Sequence, residues 1–155
     1  MPVWQLHPLR VRYQETDRMG VVFHANYATW FEVGRTEWVR RSGVEYRVLE
    51  ERGVLLPLVE LHIEFLRPAR YDDWVTVCTA AAEWTPLKVR FLSAVALGDL
   101  TERHGHAFEG GEPPGELLAR GWTRHVWVNR DWKPVRLDRE MPDLYPRLAA
   151  WAKGG

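Results

Sequence analysis

The sequence predicts an α+β domain in which one antiparallel sheet of about five strands wraps around a single long central helix. Three observations lead there. A stripe of Tyr27, Trp30, Phe31, Gly34 and Trp38 repeats at intervals of three and four residues, the spacing of one helix face. Runs with period-two patterning then arrive in series, as in Val89, Phe91, Ser93, Val95 and Leu97. The connections Arg67 to Asp72 and Trp84-Thr85-Pro86 are short turns, which suit antiparallel neighbours.

Taken in order, Val3 to Tyr13 reads as the first strand, with Pro8 restricting it to an edge or to the start of the ordered part. A polar turn, Gln14 to Gly20, leads to the helix, which is expected to start near Asn26, a favoured capping residue. Gly34 inside the aromatic stripe would let a neighbouring backbone come close, so the helix should lie flat on the sheet. Ser42-Gly43 marks its end, and a second helical turn runs to Glu50. Strands follow at Val54 to Leu66, Asp73 to Trp84, Lys88 to Leu97 and Leu117 to Asn129. Residues 98–115, rich in Gly, Pro, Glu and His, read as a mobile hairpin loop between the last two strands. Residues 138–155 hold a short helix, limited by Pro142 and Pro146, and a tail. Residues 1–155 form a single domain.

Composition narrows the functional classes. Lys+Arg and Asp+Glu balance at 21 each, so no global field draws in nucleic acid or an anionic membrane. Nine tryptophans in 155 residues should supply core or subunit interface. The single cysteine, Cys78, has no intrachain partner and sits in an alternating apolar run, where a buried, inert thiol is expected. The first residues, MPVWQLHPLRVRY, lack a signal-peptide pattern, and no stretch approaches the ~20 apolar residues of a membrane span. A cytoplasmic location follows as the expectation.

Asp17 is a carboxylate in a polar loop just ahead of the helix, a setting that suits turn formation as well as catalysis. The segment around it decides between them. Tyr13, Thr16-Asp17, Gly20-Val21-Val22, His24, Asn26-Tyr27, Phe31-Glu32 and Arg35-Thr36-Glu37 resemble the signature of 4-hydroxybenzoyl-CoA thioesterase-like proteins, in particular the YbgC-type acyl-CoA thioesterases of the hotdog fold. Phe65 to Arg70 with Asp72-Asp73 looks like the same family's second recurring segment, and the resemblance covers roughly residues 8 to 137.

That resemblance implies hydrolysis of an acyl-CoA thioester to free acid and CoA. It implies that Asp17 attacks the carbonyl carbon or activates a water that does so, and that a backbone N–H at the position of His24 holds the developing oxyanion. A helix N-terminus with free N–H groups suits that second task. The His24 side chain can assist, since imidazole exchanges protons near neutral pH, and Tyr13 is implied to position the carboxylate or the acyl group. No metal and no organic cofactor is expected, CoA being part of the substrate. The family's site lies between two subunits, which implies a homodimer at least and a tetramer of two dimers.

Coenzyme A brings phosphates that favour cationic side chains, and Arg67, Arg70 and Lys88, flanking turns, are the candidates. Trp30, Trp74 and Trp127 are candidates for lining or blocking the acyl pocket. Glu37 reads as an ion-pair member on the helix. His104 and His106 lack a third ligand at a recognised spacing and read as a solvated loop. There is no Gly-x-Ser-x-Gly elbow for a serine hydrolase and no phosphate-binding glycine loop. Alternating strand faces explain Arg120-Gly-Trp122-Thr-Arg124 better than RNA stacking does. Two other readings compete: a hotdog 3-hydroxyacyl thioester dehydratase, and a non-catalytic acyl-CoA or acyl-carrier-protein binding module.

Overall fold

The long aromatic-faced segment forms α1 (Ala25–Arg41), and the period-two runs become strands packed around it. The computed structural model describes residues 1–154. Chain order is β1 (Val3–Arg10), a 3-10 turn (Tyr13–Glu15), α1, α2 (Tyr46–Glu51), β2 (Leu58–Phe65), β3 (Trp74–Trp84) and β4 (Lys88–Leu97). It continues with α3 (Thr101–His104), β5 (Ala107–Glu109), β6 (Leu117–Val126), α4 (Leu137–Glu140) and α5 (Tyr145–Ala152). The strands form one sheet in the order β2-β6-β4-β3-β1-β5, and every neighbouring pair is antiparallel.

Helix α1 buries the expected stripe, Tyr27, Trp30, Phe31, Gly34 and Trp38, together with Val39. Around Trp30 and Phe31 pack Val75 and Val77 of β3, Val95 of β4 and Ala119 of β6. Burying a side chain such as Phe31 is worth roughly 1.5–3 kcal/mol. Further along, Trp38 meets Phe91, Trp127 and the C-terminal residues Leu137, Met141 and Leu148. The Trp38 and Trp84 rings lie 5.4 Å apart, and Trp84 and Trp127 5.7 Å. The indoles therefore supply core, as their number suggested.

The loop expected over residues 98–115 instead carries α3 and β5. β5 pairs with the outer edge of β1 through Val3↔Glu109, Trp4↔Phe108 and Gln5↔Ala107, giving six strands rather than about five. Beneath it Trp4, Leu6, Cys78, Ala80, Ala94 and Ala96 form a second core layer, with Leu100 and Phe108 packed against them. β3 is thus covered on the face opposite α1 as well, which is why Val75 to Ala80 are buried without alternation. Cys78 is buried there, and burial pushes its thiol up to about 12, far from any reactive thiolate.

Three boundaries differ from expectation. β1 ends at Arg10, and Tyr13 opens the 3-10 turn rather than ending a strand. α1 begins one residue before Asn26, whose side-chain amide donates to the Glu15 carbonyl (2.8 Å) instead of capping the helix. The C-terminal region is two helices, separated around Pro142. Pro8 lies inside β1, beyond the short span of β5, where its missing N–H faces no partner strand.

Candidate active site

The loop between the 3-10 turn and α1 is a small closed unit. Its base is the antiparallel bridge Thr16↔Val22, extended by Asp17 N–H to the Val21 carbonyl (2.9 Å) and Phe23 N–H to the Glu15 carbonyl (2.9 Å). The tip turns at Gly20, whose φ of +79° favours glycine and whose N–H donates to the Asp17 carbonyl (3.0 Å). Asp17 Oδ1 accepts from the Met19 N–H at 2.8 Å, a self-made Asx turn that fixes the carboxylate plane. Its second oxygen, Oδ2, has no protein donor among the described residues.

Asp17 and His24 line one pocket of about 320 Å³, with Val22, Tyr27, Phe65 and Arg67 among its other walls. His24 stands immediately before α1, and its side chain forms no cap bond. Among the described residues its backbone N–H donates to no backbone acceptor, while the nearby Phe23 and Asn26 amides are both engaged. An open amide at the positive end of a seventeen-residue helix is a ready donor to an oxyanion. The pocket wall is held by Tyr27, whose hydroxyl accepts from the Ala69 N–H at 3.2 Å and whose phenol burial shifts upward. Phe65 lies edge-on to Tyr27 (5.3 Å) and near the His24 ring (6.4 Å).

The structure thus brings together Asp17, His24 and Arg67 of the residues expected from sequence. Arg67 also pairs with Glu116. Tyr13 does not line this pocket: it is 77% exposed and packs edge-to-face on Tyr71, with ring centroids 5.7 Å apart. Arg70 lies in the next turn, its N–H held by Asp73 Oδ2 (2.9 Å), and its side chain is exposed. Lys88 is at the other end of the sheet, 3.4 Å from Glu83. Glu37 pairs with Arg40, as an ion-pair member should. Trp30 is core and Trp74 lies under Arg10 at 5.4 Å, while Trp127 borders a second cavity with Glu32, Arg35 and Tyr46. His104 packs on Phe108 (5.0 Å) and His106 reaches Arg41 (3.4 Å); no three metal-ligating side chains converge among the described residues.

Sequence reasoning passed over Glu15. It is the one buried acidic side chain among the described residues, and its Oε2 accepts from the Trp30 indole N–H at 2.8 Å. No local pattern could have found it, since only the folded loop brings an acid and a core tryptophan fifteen residues apart into contact.

An antiparallel sheet packed on one long helix is the hotdog architecture, and a carboxylate sharing a pocket with the residue that opens the helix suits hydrolysis of the acyl-transfer type. Comparison with known proteins agrees. The family model described as Thioesterase superfamily matches residues 19–83. The Bacillus subtilis protein named "Putative acyl-CoA thioesterase YneP" is 33% identical over 138 residues, 88% of this chain and 89% of that protein. The Escherichia coli acyl-CoA thioester hydrolase YbgC is 36% identical over 72 residues, covering 46% of this chain and 54% of its own length. The crystal structure of the DHNA-CoA thioesterase from Staphylococcus aureus superposes with a TM-score of 0.81 at 29% identity, covering 95% of this chain and 89% of that one. The chain belongs to the thioesterase superfamily and is a thioester hydrolase.

Proposed function

We propose that this chain hydrolyses acyl-CoA thioesters to free acid and CoA, with Asp17 as the reacting carboxylate. The observation that carries this reading is the free Asp17 Oδ2 sharing a pocket with the open His24 amide. The thioester carbonyl would sit with its oxygen towards that amide and its carbon towards Asp17. Attack then moves the carbonyl electron pair onto oxygen, and a preorganised donor of this kind is typically worth ~10²–10³ in kcat.

Two routes balance. If Asp17 bonds to the carbonyl carbon, collapse of the tetrahedral adduct breaks the C–S bond, releases CoA thiolate and leaves a mixed anhydride that water cleaves. If Asp17 acts as general base, the water oxygen bonds to carbon, its proton passes to Asp17, and the thiolate leaving group then receives it. Each consumes one water. The His24 imidazole lies at the pocket wall, where it can deliver a proton to departing sulfur.

The same reading calls for a second copy of the chain. β2 ends the sheet with an unpaired edge and leaves Leu58, Val59, Leu61 and Phe65 exposed at 44%, 46%, 43% and 52%. Antiparallel self-pairing of β2 would bury this edge and lay a partner against Phe65, a wall of the Asp17 pocket. It would also bring the partner's Lys88 end of the sheet towards Arg67 and Arg70, gathering cations for the CoA phosphates. Two such dimers would give the tetramer. Among the described residues no helix is long and apolar enough to cross a membrane.

The experiment is turnover of purified protein on short, aromatic and long acyl-CoAs, following free thiol. Release from at least one class is expected, and silence across the panel removes the reading.

A further inference from the structure

Glu15 is the one acidic residue in the buried class among the described residues, at 5% exposure. The cation paired with it among the described residues is Arg12, with Nε 3.5 Å away on a side chain that is 64% exposed. A carboxylate in that position is an expensive choice for a core, where an apolar side chain of similar volume would fold as well or better. Something other than packing explains it. We propose that Glu15 is a positioning residue for the thioester chemistry, locking the loop that carries Asp17 onto α1. The inference rests on the proposed thioesterase reading and deepens it.

The hydrogen bonds single this residue out. Its side chain accepts twice, Oε1 from the Arg12 N–H and Oε2 from the Trp30 indole, both at 2.8 Å. Its main-chain carbonyl also accepts twice, from the Phe23 N–H (2.9 Å) and the Asn26 side-chain amide (2.8 Å). Both side-chain hydrogen bonds that join this loop to α1 therefore end on Glu15. Asp17 lies two residues after it, and the His24 amide one residue after Phe23. Glu15 thus ties the base of the loop to α1, next to the bonds that hold Asp17 relative to the His24 amide.

Trp30 is a rigid place to anchor: it is 2% exposed, in the core layer with Val75 and Val77, and its ring lies 5.0 Å from Tyr27. The two donors, Arg12 N–H and Trp30 Nε1–H, require two acceptors. A carboxylate offers both, whereas a glutamine amide offers one acceptor and turns its NH₂ group against the other donor. Displacement of a reacting group by about 1 Å can cost ~10²-fold in rate.

The test compares Glu15→Gln and the double variant Glu15→Met/Trp30→Phe with the wild type, measuring kcat, KM and thermal melting. Glu15→Gln should lower kcat roughly tenfold or more with KM within about twofold, because alignment and not binding is lost. In the double variant both buried partners become apolar, so melting should return close to the wild type. Its kcat should stay roughly tenfold down, because the lock is absent. Recovery of kcat along with stability, an unchanged kcat in Glu15→Gln, or a rise in KM alone would overturn the assignment. A wild type that turns over no acyl-CoA removes the thioesterase reading itself, and an active wild type with unaffected variants removes only the role of Glu15.

Discussion

Gly34 of α1 lies directly on Thr79 of β3: a Cβ at position 34 would come within 2.5 Å of the Thr79 hydroxyl and 2.6 Å of Val77 Cγ1. Glycine here is a condition for the helix to lie flat on the sheet, since both atoms belong to short side chains on a central strand and cannot step aside. Gly34→Ala is expected to destabilise the fold by ~1–3 kcal/mol through overpacking, read as a lower midpoint in denaturant unfolding at unchanged slope.

Asp17→Asn removes the charge while keeping the Asx turn to Met19, because the amide oxygen can still accept that N–H. Thiol release should fall at least ~10³-fold, and binding of an unreactive acyl-CoA analogue should persist. Parallel loss of turnover and binding would point to a damaged pocket instead. In the wild type, a single turnover in ¹⁸O-labelled water tests the covalent route: label in the Asp17 carboxylate requires the anhydride, cleaved by water at the Asp17 carbonyl carbon.

Leu61 is exposed at 43% on the unpaired edge strand. Leu61→Asp should change the unfolding free energy of a protomer by only ~0.5 kcal/mol, as surface substitutions do, yet place charge in the proposed β2 seam. Light scattering should show a dimer or larger assembly for the wild type and a monomer for the variant. A monomeric wild type would refute pairing through β2.

His125 gives the pH dependence. Its ring is 2% exposed, and burial, with the Arg35 cation second, pushes the imidazole down to about 4 from an unfolded value near 6.5. The folded state therefore binds fewer protons than the unfolded chain between those values. Stability from this group is fully present above about pH 6.5 and is lost as pH falls towards 4, by about 3 kcal/mol in all. Chemical denaturation from pH 7 to 4 should show that decline, and His125→Gln, which cannot titrate, should flatten it.

What could be read along the chain was whatever short-range spacing encodes. Tyr27, Trp30, Phe31 and Trp38 mark one helical face whatever surrounds them, and the structure buries all of them. Asp17 stands out because a loop acid just ahead of that helix keeps its place in any fold that retains the helix. The strand β5 was not legible, since Ala107–Glu109 has no strand pattern of its own and pairs only because the Val3–Gln5 edge is there to receive it. Tyr13 shows the converse: four residues from Asp17 in sequence, it is turned outward by the 3-10 turn onto Tyr71.

By itself, then, the sequence determined the helix with its aromatic face and the antiparallel runs, because each depends on residues within a few positions of one another. Only the tertiary structure decided the rest. It set Asp17 and His24 in one pocket, brought Glu15 onto the Trp30 indole, and covered part of the far face of the sheet with residues 98–115. Those outcomes depend on contacts between segments fifteen to a hundred residues apart, where distance is set by how layers pack and carries no local periodicity.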